Sequence, residues 1–301
     1  MDLKNETEKL TDLCKRYAGR MVITGHDMPD SDSIISAVML KKLLARLGVD
    51  AAVKFGTHPD GVTERDMRSL GLLDEIVFDG FEKDDVLVLV DHHVTFYTNE
   101  VIGCVDHHTT PPKPSFAFNL IERASSCGRI IYDMARSVGV CDEWLEKMAV
   151  YSVYLDTQSC RSPKFNKTDE PWLRECISRL SLDEDELVCM GFCLMSPDES
   201  AEDLSMYGYK RYEYNGKMTA STCIQIDPED EKWQSLICEI IECLKERCRR
   251  DPCSLWAFVV NMPALTRSDI YFVSENGVEK TVRLDRLASR SRDVVPVMKA
   301  L

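Results

Sequence analysis

The sequence predicts an α/β protein: a mainly parallel sheet with helices on both faces, followed by a smaller α/β domain. Three observations lead there. Short apolar runs recur along the first half of the chain: MVITGH (21–26), AAVKF, EIVF, VLVLV and VIGCV. They are apolar almost throughout instead of alternating, which marks strands buried on both faces. Helical periodicities sit among and after them, and strands alternating with helices produce a parallel sheet.

Taken in order, a short charged helix precedes MVITGH, which ends at a Gly-polar break. Ser33 to Leu47 follows as a helix, with Ile35, Met39, Leu43 and Leu47 on one face at i, i+4 spacing and Gly48 as its stop. The other four strand candidates come next, and helical patterns return around Gly128–Val138 and Glu143–Leu155. The polar, Pro-containing stretch MSPDESAEDLS (195–205) interrupts the alternation and predicts a linker. Beyond it, MTASTCIQI reads as a strand, and Trp233 to Cys248 as a helix with Trp233, Ile237, Ile241 and Leu244 apolar. LWAFVVNM and DIYFVSEN are further strands. The expected domains are 1–195 and 207–301, joined by a linker at 196–206, and the second is large enough for its own small core.

Composition narrows the classes. The chain has 301 residues and a net charge of −14, which argues against broad nucleic-acid binding, since that needs a basic surface. Acidic residues that hold metal ions would invert the local charge, so an anionic phosphate substrate stays open. No apolar run approaches the ~20 residues that span a membrane. The charged start MDLKNETEKLTDLCKRYAGR lacks the apolar core of a signal peptide, so a cytoplasmic location is expected. The 13 cysteines are odd in number and spread out. Cys238, Cys243, Cys248 and Cys253 recur every five residues, a step of ~140° on a helix, so they do not converge on one metal. Reduced thiols are the expectation.

Acids and imidazoles gather where an open α/β sheet binds ligands, beyond the carboxyl ends of its strands. GHDMPDSDSI (25–34) supplies His26, Asp30 and Asp32 directly after a strand. Helix capping alone would also select Asp30, Ser31 and Asp32. VLVLV runs into Asp91, VIGCV into Asp106-His107-His108, and the helix through Tyr151 and Tyr154 into Asp156. Three strand ends and one helix end thus each deliver a carboxylate or an imidazole. Imidazole with carboxylates suits a divalent metal of the Mn, Co or Mg kind. The set is large enough for two metals that share a bridging carboxylate, ~3.5–4 Å apart.

These residues resemble the DHH phosphoesterase superfamily. The resemblance rests on GHDMPDSDSI, on the LVDHH and VDHH pair, and on SSCGRII followed by YLDTQSCRSP. Within it, the chain most resembles family II, manganese-dependent inorganic pyrophosphatases with a DHHA2-type C-terminal domain. MYGYKRYEYNGK is similar to the segment that carries that family's substrate lysine, and LASRSRDVVPVM to its C-terminal Ser-Arg-Lys-Lys signature. The resemblance implies that His26 and Asp30 hold one metal and that Asp32, His107 and Asp156 hold the other, with Asp91 bridging. It further implies that His108 meets substrate near the leaving phosphate, while Lys210 and Arg290, with Arg292, grip phosphate oxygens. The active site would lie between the two domains. Two Mn2+ ions are implied (Co2+ or Mg2+ as substitutes), with a third Mg2+ carried by the substrate. The implied partners are pyrophosphate or a short polyphosphate and a second copy of the chain in a homodimer, with neither nucleic acid nor membrane.

The sequence also departs from the pattern. Ser291 stands where the signature has Lys, with Arg292 one place further. LVDHH lacks the family's usual Asn, and Gln158 and Ser159 replace apolar residues. The alternatives are an exopolyphosphatase or nucleotide phosphodiesterase of the same branch, and a binding or regulatory homologue with weakened hydrolysis. The runner-up enzymes often lack the first-motif histidine, and His26 is present. Of the two Asp-His-His triplets, Asp91 is expected to work in the first, and His107 and His108 in the second, with Asp106 orienting a histidine.

Overall fold

The structure is a computed structural model. It describes residues 2–300 except 18, 79, 94–96, 110–113, 215–216 and 289, together with the side chains of all described residues but 214, 217 and 291. The chain divides into two compact units, one of residues 1–160 and 164–191, the other of 161–163 and 192–301.

The first unit is built on a parallel sheet of six strands in the order β3-β2-β1-β4-β5-β6. These are β1 (Met21–Thr24), β2 (Ala52–Lys54), β3 (Ile76–Val77), β4 (Val86–Val90), β5 (Glu100–Asp106) and β6 (Phe118–Ile121). Every residue of β1 and β4 is buried, as their unbroken apolar runs require. The strand order reverses between β1 and β4, where a crevice opens at the carboxyl edge of such a sheet. His26 follows β1 and Asp91 follows β4, so the two neighbours at the reversal point each deliver a functional group.

Helices α1 (Leu3–Lys15), α2 (Ser31–Arg46), α3 (Gly61–Ser69), α4 (Cys127–Ser137), α5 (Glu143–Asp156), α6 (Glu170–Arg179) and α7 (Glu184–Phe192) complete this unit. Helix α2 packs on β1, β4, α4 and α5, and is buried without a break from Ser31 to Leu40. It starts two residues before the expected Ser33, because Asp30 caps it by accepting from Ser33 N at 3.1 Å.

The second unit holds α8 (Ala201–Leu204), β7 (Lys210–Tyr214), β8 (Lys217–Gln225), α9 (Lys232–Arg250), β9 (Cys253–Met262), β10 (Arg267–Ser274), β11 (Gly277–Leu284) and α10 (Val295–Met298). Its sheet runs β11-β10-β9-β8-β7, with β8 and β9 parallel and the remaining pairs antiparallel. Ala257, Val259, Ile270, Phe272, Val294 and Met298 form a core there. The stretch expected as a linker, 196–206, is part of this unit and contains α8. Ser200 caps that helix, and Glu202 is paired with Arg247 of α9. Its polarity reflects an exposed, capped helix, so the division falls after Gly191.

Candidate functional site

The loops after β1, β4 and β5 and the end of α5 bring six of the expected residues together. His26 Nε2 lies 3.5 Å from Asp30 Oδ2 and 3.6 Å from Asp91 Oδ2. His107 Nε2 lies 3.2 Å from Asp91 Oδ1, and 3.7 Å from both Asp32 Oδ2 and Asp156 Oδ2. The result is three overlapping donor groups that could each hold a metal ion, His26–Asp30–Asp91, Asp91–His107–His108 and Asp32–His107–Asp156, with Asp91 turning one oxygen toward His26 and the other toward His107.

The donor set fits a cation on grounds independent of its spacing. Asp91 Oδ1, His107 Nε2 and Asp156 Oδ2 are buried and have no hydrogen-bond partner. Three orphaned ligand-type atoms facing one another are costly unless a positive charge sits among them. The charges agree. Burial alone would lower the His107 imidazole, but Asp91 and Asp156 outweigh it and hold it up at about 10. His26 is treated the same way by burial and Asp30, and rises to about 9. Burial, and then the charge of Asp91, pushes the Asp32 carboxyl up. Negative charge is thus in excess at the cluster.

Backbone and hydroxyl groups aim these ligands. His26 Nδ1 lies 2.9 Å from Asp27 O and His107 Nδ1 3.2 Å from Ala124 O. Each contact fixes the tautomer that turns Nε2 toward the cluster. Asp30 uses one oxygen to cap α2 and turns the other toward His26, so capping and ligation are compatible. Asp32 accepts from Cys127 N (2.7 Å), Gly128 N (3.1 Å), Ser36 Oγ (3.0 Å) and Ser152 Oγ (2.7 Å). Two of these donors are the first amides of α4, which explains the SSCG motif as a helix N-terminus aimed at a carboxylate. Ser33 Oγ donates to Asp91 Oδ2 at 2.7 Å.

Close approach dictates two glycines. A Cβ on Gly128 would stand 2.4 Å from Ser152 Oγ, and one on Gly25 would stand 2.6 Å from Ser33 Cβ. Both serines are those that hold cluster carboxylates. Asp91 itself has φ of 62°, in the left-handed region that costs a non-glycine residue about 1–3 kcal/mol. After Asp156, Gln158, Ser159 and Cys160 are also left-handed, with φ of 49°, 55° and 63°. Ser159 Oγ bonds to Val188 O (2.9 Å), and Gly191 leaves room for it. Its departure from an apolar residue therefore serves this turn.

The second triplet behaves as a linked pair with the first. Asp106, wholly buried, accepts from His108 N and from His108 Nδ1, both at 2.9 Å, and its other oxygen is bonded to His93 Nδ1. The His108 side chain is 43% exposed, and its Nδ1 also lies 3.5 Å from Asp91 Oδ1. Burial would raise the Asp106 carboxyl, but the hydrogen bonds from His108 and His93 prevail and hold it at about 2. His92 lies outside this pair, its Nδ1 3.0 Å from Val90 O.

In the second unit, Lys210 opens β7 opposite Ser221, and Arg290 donates to Gly208 O. Both cations act on the Cys223 thiol, which burial raises and their charges pull down, so they share one neighbourhood. Arg292 is exposed, with its Nε 3.7 Å from Asp293. The side chain of Ser291 lies outside the described residues.

Sequence reasoning did not single out Ser33, Ser152 or Lys164. Ser33 was visible inside DSDSI, but a serine there reads as part of a cap. Ser152 sits mid-helix, and only the packing of α4 on α5 reveals it. Lys164 Nζ reaches Asp156 Oδ1 at 2.5 Å from eight residues further along the chain.

Comparisons with known proteins show what the chain is similar to. A manganese-dependent inorganic pyrophosphatase of Methanothrix thermoacetophila is 20% identical over 314 residues, covering 94% of this chain and 98% of the relative. A probable manganese-dependent inorganic pyrophosphatase of Deinococcus radiodurans is 27% identical over 161 residues, and that match spans 50% of each chain. Among solved structures, a Methanococcus jannaschii protein assigned to the family II inorganic pyrophosphatases superposes with a TM-score of 0.74 at 18% identity, covering 93% of this chain and 98% of that one. An exopolyphosphatase-related protein from Bacteroides fragilis superposes with a TM-score of 0.53 at 14% identity, covering 90% and 84%. These superpositions show a shared fold. The sequence profile of the DHH family, N-terminal domain, matches residues 20–155, which contain five of the six clustered residues.

Proposed function

We propose that the chain hydrolyses a phosphoanhydride, inorganic pyrophosphate foremost, with two divalent cations, Mn2+ foremost. One observation carries the reading: imidazole–carboxylate groups meet on the two sides of Asp91, and three of their buried donor atoms, Asp91 Oδ1, His107 Nε2 and Asp156 Oδ2, lack hydrogen-bond partners. The names of the similar proteins support the choice of substrate and metal.

In this reading His26 and Asp30 hold one ion, Asp32, His107 and Asp156 the other, and Asp91 touches both. Bound there, the ions would lower the pKa of a water molecule and neutralise charge on the phosphates. The chain's own residues would do the rest. The bond to Asp106 keeps a proton on His108 Nδ1, so Nε2 is placed to exchange a proton with substrate. Arg290 brings a planar fork of donors for phosphate oxygens, and Lys210 a compact point charge, with Arg292 as a further cation.

Phosphate release from pyrophosphate with and without Mn2+ tests the reading, with Asp156→Asn as the control. Mn2+-dependent release that the variant loses is the expected result. Release no greater than that of Asp156→Asn would end the hydrolase reading. Release from tripolyphosphate or a nucleotide alone would move the substrate to the exopolyphosphatase or phosphodiesterase branch.

A further inference from the structure

The Lys164 ammonium reaches the carboxylate cluster at Asp156, and it comes from the same unit as the cluster. Asp156 divides its oxygens. Oδ2 points inward beside His107 Nε2 without a hydrogen-bond partner, whereas Oδ1 carries the Lys164 ammonium. The lysine side chain is 47% exposed while the Asp156 side chain is 6% exposed, so the ammonium sits at the rim of the cluster with a path to solvent. Its charge acts on Asp156, Asp30 and Asp91, and also on His108. It therefore lies near carboxylates on both sides of the cluster and near the half-exposed His108. The left-handed run at residues 158–160 turns the chain after α5, and Lys164 comes back to the residue that ends that helix.

We propose that Lys164 is a substrate-binding residue that takes phosphate oxygens of a polyanionic phosphate at the mouth of the cluster. The proposal rests on the hydrolase reading for the class of anion. A lysine is a point charge on a flexible four-carbon stem, able to leave one anion for another without loss of geometry. A carboxylate whose charge is spent on a divalent ion holds an ammonium less tightly, which frees Lys164 at the moment an anion needs it. The neighbouring acids would repel a phosphate, and an ammonium at the rim offsets that repulsion where the anion enters.

The test is direct binding of imidodiphosphate, a non-hydrolysable pyrophosphate analogue, to the Mn2+-loaded chain by calorimetry. Lys164→Met and Lys164→Arg are compared with wild type. Mn2+ affinity is measured separately by electron paramagnetic resonance without the anion. Lys164→Met is expected to weaken analogue binding tenfold or more while Mn2+ affinity is unchanged or tighter, and Lys164→Arg to recover most of the loss. Analogue binding within twofold of wild type in Lys164→Met would overturn the proposal. So would a tenfold loss of Mn2+ affinity, which marks a brace for Asp156, and so would a wild-type chain that binds no analogue. Binding does not require turnover. A wild type that binds the analogue through Lys164 but releases no phosphate refutes hydrolysis alone, and turnover with a Lys164-independent KM refutes this proposal alone.

Discussion

At the scale of single residues, the two Asp-His-His triplets have unequal duties. His107 Nε2 faces three carboxylates and is the imidazole nitrogen of the Asp32–His107–Asp156 group. His93 Nδ1 is bonded to Asp106, which in turn holds His108. His93→Ala should cost about 10–100-fold in Mn2+-dependent turnover, the range for partners that orient a ligand or a working histidine. His107→Ala should exceed that loss and also abolish one Mn2+ site in a metal titration. Equal losses from the two variants would contradict the assignment. Much of this was legible in the sequence, because carboxylates and imidazoles at strand ends have few structural reasons to gather. Lys164 was not. A lysine in a loop carries no periodic signal, and its return to Asp156 depends on a turn of three left-handed non-glycine residues that no composition rule anticipates.

At the scale of elements, the site is held by the packing of α2, α4 and α5. Gly128 sets the distance between α4 and α5 at the point where Ser152 bonds Asp32. Gly128→Ala should therefore destabilise the protein by about 1–3 kcal/mol through overpacking and weaken Mn2+ binding at the same time. A fall in Tm with unchanged Mn2+ affinity would separate the packing from the site. A second prediction concerns pH. Glu146 of α5 is buried and takes hydrogen bonds from Tyr132 of α4 and Cys176 of α6, with Arg179 as its ion pair. Burial pushes its carboxyl up, but Arg179, Cys176 and Tyr132 prevail and hold it below its ordinary value. Such a group adds stability above the unfolded glutamate range, near ~4.3, and loses it as pH falls through the depressed folded value. The stability gap between wild type and Glu146→Gln should be full at neutral pH and close below about pH 4. A gap that widens on acidification would contradict the sign. The buried elements were readable from their apolar runs. The outer strands β7 and β11 were not, because most of their described side chains are exposed and their sequences KRYEY and GVEKTVRL read as polar segments.

At the scale of the whole molecule, the six clustered residues all belong to the first unit, and Lys210, Arg290 and Arg292 to the second. The polar stretch after Met195 misled the sequence reading about the division. A short capped helix and a linker share the same composition, and only Ser200 and the Glu202–Arg247 pair distinguish them. The two-unit plan itself was visible, since a single interruption separates two sets of strand and helix patterns. The central claim is the proposal that the cluster of the first unit holds two divalent ions, one on each side of Asp91. The most direct measurement is the number of Mn2+ ions bound per chain at saturation, by equilibrium binding to metal-free protein. Two ions per wild-type chain, with both sites weakened in Asp91→Asn, is the predicted result. Fewer than two ions in the wild type, or two bound undiminished in Asp91→Asn, would contradict it.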